Sequence, residues 1–338
     1  MRKMATIRKI DALDPIEGAD AIEAATIGGW KVVVKKGEFS VGGMAVYCEI
    51  DSWIPTELAP FLSKGKEPRE YEGIRGERLR TVKLRGQLSQ GLLLPISVIP
   101  FASYIPDDDV AEHLGIVKWE MPMNAQLAGM ARGNFPSQIP KTDQERVQNL
   151  KSEIVQAATD GLQFEVTEKL EGSSMTVYLI DGVFGVCSRN LDLKETEENT
   201  FWQVARRDNI EAKMRGVDEH WSFAIQGELI GPGIQGNIYK LSKPEFRVFD
   251  VYDIQVGKYL PPNPRRILIE RMGLQHVPVM LVDKDLGVGS VEDILQWADA
   301  KSVLCPTCTA WREGIVFKQV DGGMTFKAIS NKYLLGQK

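Results

Sequence analysis

The sequence has few of the residues that build redox, thiolate or histidine-based sites. Only four cysteines and three histidines occur among its 338 residues. Cys305 and Cys308 are separated by two residues, but no second cysteine or histidine pair follows them. We therefore expect two free thiols in a loop rather than a zinc site. The histidines are scattered singly, which argues against a Ser-His-Asp or Cys-His catalytic arrangement.

The sequence also lacks the hydrophobic runs of membrane and secreted proteins. No stretch of 18 apolar residues occurs, and no apolar segment follows the charged N-terminus at residues 1–5. Hydrophobic residues make up 43% of the chain and charged residues 26%, as in ordinary globular proteins. We expect an intracellular protein of two domains without a membrane segment. A P-loop ending in Gly-Lys-Ser or Gly-Lys-Thr is absent too.

Positive charge is not in excess. The net charge is −5, so a contact with nucleic acid must come from a local basic patch. Two interpretations of one such segment stay open, a polynucleotide contact and the solvated rim of a hairpin. Its five cations within eleven residues are Arg75, Arg78, Arg80, Lys83 and Arg85.

A lysine at the end of a predicted strand is the most informative feature that is present. Residues 163–168 alternate between two faces, as in a β-strand, and the pattern ends at Lys169 before a turn at residues 172–174. Burial at a strand end would lower the pKa of the amine, and a neutral amine is a nucleophile. Taken alone, the segment is better explained as a surface lysine before a hairpin turn.

Four later segments each place charge inside or at the end of an apolar, strand-like run. Buried charges are costly unless they are paired, metal-bound or functional, so their recurrence indicates one shared polar site. An aromatic-rich run at residues 246–254 can supply a face for stacking. The charged residues are Arg189, Glu228, Glu313, Lys318 and Lys327.

This set of motifs resembles the covalent nucleotidyltransferases, the superfamily of ATP-dependent ligases and capping enzymes. The segment Lys169-Leu170-Glu171-Gly172 is similar to the nucleophile motif, with glutamate where aspartate is commoner. The resemblance implies that Lys169 is catalytic and attacks ATP, forming lysyl-AMP and releasing pyrophosphate. It also implies ATP or AMP contacts by Glu168, Glu171, Gly172, Arg189, Glu228, Phe249, Lys318, Lys327 and Arg146.

The same resemblance implies a divalent metal. Negative charge builds up on phosphoryl oxygens during the transfer, so Mg²⁺ or Mn²⁺ and several cations are expected around them. One or two carboxylates suffice for an ion that keeps its waters, and Glu313 and then Glu228 are the implied ligands. The last motif departs from the family pattern, because Thr325 stands where a first lysine is usual and only Lys327 carries over.

Residues 1–110 have the pattern of a separate module. Strands are predicted at residues 29–34, 45–50, 79–84 and 92–96, with glycine turns between them, which is typical of a small OB-like barrel. Residues 82–92 and 141–149 resemble segments of RNA ligases of the Deinococcus/Naegleria type, which carry an OB domain ahead of the transferase domain. By that resemblance the module is expected to bind polynucleotide through Arg78, Arg80, Lys83 and Arg85.

The expected fold class is α+β, with the OB-like barrel followed by a nucleotidyltransferase domain of antiparallel sheets with flanking helices. Residues 111–134 are interpreted as a connector and residues 135–338 as the adenylation domain. A capping box of Thr142 and Glu145 predicts a helix start, with Val147, Leu150, Ile154 and Ala158 on its core face. Further helices are predicted at residues 197–214, 264–272 and 290–300, and strands at 163–168, 175–180, 223–231, 246–254, 312–318 and 324–329.

We expect a monomeric, ATP-dependent RNA ligase that seals 5′-phosphate and 3′-hydroxyl ends, at nicks in RNA or RNA/DNA duplexes whose 3′-hydroxyl strand is RNA. A DNA ligase or capping-type enzyme is the first alternative. It is disfavoured because only eleven residues follow Lys327, whereas a further OB domain needs about 100. An inactive binding protein that stacks bases on Trp30, Tyr47 and Trp53 is the other, and the many retained charges disfavour it.

Overall fold

Strands dominate both halves of the chain, because runs of β-branched and aromatic residues alternate with glycine turns. The computed structural model describes residues 2–99, 104–120, 129–218, 220–287, 290–305 and 307–336. The chain divides into two units, Met1–Pro122 and Met123–Lys338. None of the helices in these ranges has the length and apolar character that a bilayer crossing requires.

The first unit consists of short strands around an apolar core that contains Ile7, Val46 and Leu94. Its strands are β1 (Ala5–Lys9), β2 (Ala12–Pro15), β3 (Ile22–Ile27), β4 (Trp30–Lys35), β5 (Met44–Cys48), β6 (Ser52–Pro55), β7 (Arg69–Tyr71), β8 (Ile74–Arg78), β9 (Val82–Leu84), β10 (Gln87–Ser89), β11 (Leu92–Pro95) and β12 (Val117–Lys118). They form sheets in the orders β1-β5-β11, β2-β3-β4, β10-β9 and β12-β6-β8-β7.

Most of the strands predicted for this unit are confirmed, at β4, β5 and β11. The strand predicted at residues 79–84 is wrong, because only its last part belongs to β9. Leu79 instead turns its side chain into the core and exchanges backbone hydrogen bonds with Asp51 and Ser52. Of the predicted connector, residues 117–118 pair with β6, and residues 121–128 lie outside the described residues.

The second unit contains an eight-stranded and a five-stranded sheet. Its strands are β13 (Ala131–Asn134), β14 (Glu145–Arg146), β15 (Gln163–Lys169), β16 (Ser173–Ile180), β17 (Val183–Cys187), β18 (Leu191–Leu193), β19 (Phe223–Ile230), β20 (Glu245–Asp253), β21 (Lys258–Tyr259), β22 (Gln275–His276), β23 (Val279–Asp285), β24 (Gly314–Gln319) and β25 (Thr325–Ile329). The larger sheet has the order β13-β18-β17-β16-β19-β20-β21 with β22 on β20, and the smaller has the order β14-β25-β24-β15-β23.

The helices flank these sheets, as expected for an α+β fold. Three of the predicted helical segments are present in the structure. One of them is divided into two helices at Asn209, which has a φ of 54°. The start predicted for the helix at Thr142 is wrong, although the residues predicted for its core face, Val147, Leu150, Ile154 and Ala158, all pack in the core. Residues 145–146 are extended because they pair in parallel with β25, and the helix begins only at Lys151. The helices are α1 (Lys151–Thr159), α2 (Thr200–Arg207), α3 (Ile210–Arg215), α4 (Pro262–Arg271), α5 (Val291–Ala298) and α6 (Asn331–Leu334).

A buried charge network joins the two sheets of the second unit. Arg265 on α4 is fully buried and forms ion pairs with Glu165 on β15 and, at 3.6 Å, with Asp250 on β20. Its Nε donates to Nε2 of His276 at 3.1 Å, while Nδ1 of His276 lies 2.7 Å from the carbonyl oxygen of Val277. This pairing requires a neutral imidazole. Burial and the Arg265 charge accordingly lower the pKa of His276 to about 3.

Acid should therefore destabilise the protein partly through His276. The folded state binds fewer protons than the unfolded state below the ordinary histidine pKa of about 6.5, so stability falls as the pH drops towards 3. Between pH 7 and pH 5 the loss from this group is at most about 2 kcal/mol. Denaturant unfolding at pH 7 and pH 5 should show that His276→Asn loses less free energy of unfolding between these pH values than the parent does. The control His113→Asn, at an exposed site, should lose as much as the parent. Equal losses in the parent and His276→Asn would contradict the assignment.

Candidate active site

Lys169 lies at the end of β15, where two glycines let neighbouring strands approach its side chain. It is paired in register with Gly314 at the start of β24. A Cβ atom on Gly314 would collide with the backbone of β25, and one on Gly172 would lie 2.8 Å from Cγ of Glu228. This close packing places Nζ of Lys169 2.7 Å from Oε1 of Glu313.

The charges around Lys169 do not act as the sequence alone suggested. Burial acts to lower the pKa of Lys169, but the carboxylates of Glu313 and Glu228 outweigh it and hold that pKa above its usual value. The expected lowering of the pKa is therefore wrong for the chain by itself, and the side chain is an ammonium ion. Burial also raises the pKa of Glu228 to about 8, although the nearby Lys169 acts against the rise.

Glu171 is the third carboxylate of this group, and two tyrosines hold it. Its backbone N–H donates to the hydroxyl oxygen of Tyr239 at 2.6 Å, and its Oε1 accepts from the hydroxyl of Tyr333 at 3.2 Å. Burial raises the pKa of Glu171, and the charge of Glu313 raises it further, while the Tyr333 hydrogen bond acts against the rise. Sequence reasoning missed both tyrosines, because neither belongs to a motif and both are far from Glu171 along the chain.

The three carboxylates fit a hydrated divalent cation. Oε2 of Glu171 is buried without a hydrogen-bond partner, and carboxylate oxygen is the ligand that Mg²⁺ and Mn²⁺ prefer. Within the described ranges, no group of three ligating side chains is close enough to hold an ion directly. Mg²⁺ keeps several of its waters and needs only one or two carboxylates, and Glu171 and Glu313 are residues here that could hold it in this way.

Phe249 lies on β20, where Lys318 from β24 holds its backbone. Nζ of Lys318 donates to the carbonyl oxygen of Phe249 at 2.6 Å and lies 2.6 Å from Oδ1 of Asp250. Burial lowers the pKa of Lys318 to about 8, and the Asp250 charge limits the fall. The contacts of Lys318 are thus with the strand that carries Phe249.

Three of the cations expected to contact the nucleotide, Arg146, Lys327 and Arg189, lie in two parts of the second unit. Arg146 on β14 is paired in register with Lys327 on β25, and its charge acts on Lys169, so this pair lies beside the lysine. Arg189 follows β17, and its Nη2 lies 2.9 Å from both carboxylate oxygens of Asp143. Its charge acts on Glu228.

Glu168 points away from the carboxylate group although it precedes Lys169. Its Oε2 accepts backbone N–H groups of Val303 at 2.8 Å and Leu304 at 3.3 Å. Its Oε1 is buried without a hydrogen-bond partner. Burial raises the pKa of Glu168, while Ser302 and the two backbone N–H groups act against the rise.

The cations of the first unit that were predicted to bind polynucleotide differ in whether they form ion pairs within the fold. Arg78 pairs with Asp51 at 2.6 Å and lies 3.6 Å from the ring centroid of Trp119, so it is held within the fold. Arg75, also in the predicted patch, is exposed and paired with Glu67. The other three cations are exposed, and no ion pair to them exists in the part of the chain that the structure describes. They are Arg80, Lys83 and Arg85.

The two closely spaced cysteines are joined rather than free. Their Cα atoms lie 5.4 Å apart, and the structure pairs Cys305 with Cys308 as a disulfide. The expectation of free thiols is wrong because the turn, closed by a backbone hydrogen bond from Cys308 to Cys305, brings the side chains together.

Comparisons with known proteins agree with this arrangement. A family model for an OB-fold domain matches residues 4–96, and one for RNA ligase matches residues 162–333. No curated protein sequence matches the chain. Among solved structures, Naegleria gruberi RNA ligase with PPi is 48% identical and has a TM-score of 0.91, over 99% of this chain and 98% of that one.

Two further structures of that enzyme, both of single-residue variants, are equally similar. One, with ATP and Mn, is 47% identical with a TM-score of 0.91 and covers 98% of each chain. The other, with AMP and Mn, is 48% identical with the same TM-score and coverage. The matched family model covers half of the sequence and these relatives cover nearly all of it. The chain belongs to the RNA ligase family.

Proposed function

We propose that this RNA ligase is ATP-dependent, uses Mg²⁺ or Mn²⁺, and forms a covalent AMP intermediate on Lys169. The observation that carries the proposal is the 2.7 Å contact between Nζ of Lys169 and Glu313 inside a group of three carboxylates. The Naegleria gruberi structures with ATP, AMP, PPi and Mn support the same choice of ligands.

The first step requires a neutral Lys169. Its amine attacks the α-phosphorus of ATP, a P–N bond forms, and the P–O bond to pyrophosphate breaks. A divalent cation bound at the site would neutralise the carboxylates and stabilise charge on the phosphoryl oxygens. Once Glu313 and Glu228 no longer favour the ammonium form, burial and the charge of Arg146 both act to lower the pKa of Lys169.

We infer that the nucleotide lies between Phe249 and the cations beside Lys169. Phe249 offers a ring for stacking, and Lys318 acts through it by holding its carbonyl. The unsatisfied Oε1 of Glu168 can accept a hydrogen bond from the base. Phosphate contacts are assigned to Lys327, Arg146 and Arg189, and ribose or metal-water contacts to Glu228, with Gly172 allowing the close approach.

The remaining steps transfer AMP to a 5′-phosphate and then join that end to a 3′-hydroxyl with release of AMP. We infer a nick with an RNA 3′-hydroxyl strand as the substrate and a monomer as the active form. Residues 1–110 serve as the polynucleotide platform and residues 135–338 as the adenylation domain. The exposed cations Arg80, Lys83 and Arg85 support the platform role, because phosphate contacts need accessible positive charge.

Lys169→Met should abolish covalent labelling by α-labelled ATP, because methionine has a similar shape but no nucleophile. Sealing of a nick that already carries 5′-AMP should persist, since that step needs no lysine adduct. Lys258→Met, at an exposed lysine of the same unit, is the matched control and should label normally. Undiminished labelling of Lys169→Met would exclude this residue as the nucleophile.

Tyr333→Phe should raise the metal concentration needed for half-maximal labelling several-fold, because only the hydroxyl that orients Glu171 is removed. The shorter side chain of Glu171→Asp would not reach that hydroxyl. Adding Tyr333→Phe to Glu171→Asp should therefore raise the metal concentration for half-maximal labelling only slightly further. Tyr259→Phe removes another partly buried hydroxyl, bonded to Gln226, and serves as the control. Fully additive effects of the two substitutions would show that Tyr333 does not act through Glu171.

Replacing Arg80, Lys83 and Arg85 together by alanine should leave protein–AMP formation intact and lower nick sealing, most of all at higher salt. Arg78 is left in place because its ion pair with Asp51 belongs to the fold. The control replaces three exposed lysines of the same unit, Lys35, Lys36 and Lys66. Equal sealing by both triple variants would make the predicted patch a solvated rim, and a joint loss of labelling and sealing would indicate damage to the fold.

A further inference from the structure

Two lysines and a tryptophan form a basic patch at the edge of the active site. Nζ of Lys301 lies 3.9 Å from the ring centroid of Trp311, and Nζ of Lys332 lies 4.0 Å from the same centroid. We call these three residues the Trp311 patch.

The patch is built next to the catalytic carboxylates. Trp311 is two residues before Glu313. The backbone N–H of Ser330, the residue before α6, donates to the carbonyl oxygen of Glu313 at 2.9 Å. Lys332 lies on α6 beside Tyr333, whose hydroxyl contacts Glu171. One short segment thus connects the patch to two of the carboxylates.

The charge of the patch is not balanced within the fold. Across the ranges that the structure describes, no carboxylate forms an ion pair with Lys301 or Lys332, although the chain is acidic overall. The two ammonium groups share one ring and therefore repel each other. The carboxylate of Asp299 contacts Lys332 only through the backbone, where its Oδ1 accepts the N–H of Lys332 at 3.1 Å.

An anion bound between the two ammonium groups would relieve their mutual repulsion. Lys301 is fixed by a hydrogen bond to the carbonyl oxygen of Thr309, and both lysines are held against the ring. Cations that are already ordered lose less conformational entropy on binding than free lysines do. The patch is therefore suited to successive phosphates rather than to a base edge.

We propose that the Trp311 patch binds the phosphodiester backbone of the RNA-containing strand next to the site of joining. This inference rests on the proposed ligase function. It adds a contact with RNA phosphates in the second unit to the contact proposed for the exposed cations of the first unit. The other phosphate source at this site is the triphosphate of ATP, and the experiment separates the two.

Lys301→Gln/Lys332→Gln removes both charges and keeps most of each aliphatic stem. Binding is measured against salt with a nicked duplex whose RNA strand ends in a 3′-deoxynucleotide, so that joining is blocked. Loss of two phosphate contacts should reduce the slope of log K against log salt by about 1.4 to 1.8. Lys301→Arg/Lys332→Arg should retain the slope, since arginine keeps the charge and the aromatic contact.

The control Lys151→Gln/Lys258→Gln makes the same charge change at exposed lysines of the same unit. The proposal fails if this control and the patch variant change the slope equally. It also fails if the patch variant keeps the slope and raises the KM for ATP in protein–AMP formation, which would place the lysines on the triphosphate. Binding is also measured on protein that carries no AMP. If the parent protein cannot be labelled by ATP, the proposed function is contradicted, but the salt dependence of RNA binding still tests the Trp311 patch.

Discussion

The ion pair between Lys169 and Glu313 is the interaction on which the second unit depends. Three carboxylates meet around one ammonium group, and burial raises the pKa of Glu228 and Glu171. Such a group of like charges opposes folding, because each carboxylate is partly desolvated beside another. The surrounding structure must hold it by other means. Strand pairing around Gly172 and Gly314 supplies the close approach.

The buried ion pairs of Arg265 help to hold the two sheets of the second unit together. Removing one member of a buried ion pair leaves an uncompensated charge, so the network gives the two sheets one favoured arrangement. Arg265 joins Glu165 on the strand of Lys169 to Asp250 on the strand of Phe249. Lys318 contacts the same Asp250, so the strand that carries Phe249 and the strand that carries Lys169 are joined by one connected group of charges.

Local patterns predicted the strands and the place of Lys169 at a strand end, but not the contacts between distant segments. Alternation marks β15 and the position of Lys169 because strand periodicity is a property of neighbouring residues. The capping signal at Thr142 failed because pairing with β25, formed by residues far along the chain, overrides a local propensity. Tyr333 could not be found in this way, since nothing in the residues around it encodes its contact with Glu171.

Charge also explains why such a site needs cations around its edge. A chain of net charge −5 exerts no general attraction on RNA, and the carboxylates beside Lys169 repel phosphate directly. Binding must therefore come from short-range contacts that outweigh this repulsion where the strand lies. Cations paired within the fold, such as Arg265, contribute nothing to that balance, because their charge is already satisfied. Under the proposal above, Lys301 and Lys332 supply positive charge that no carboxylate pairs with, and this charge would offset the repulsion of phosphate.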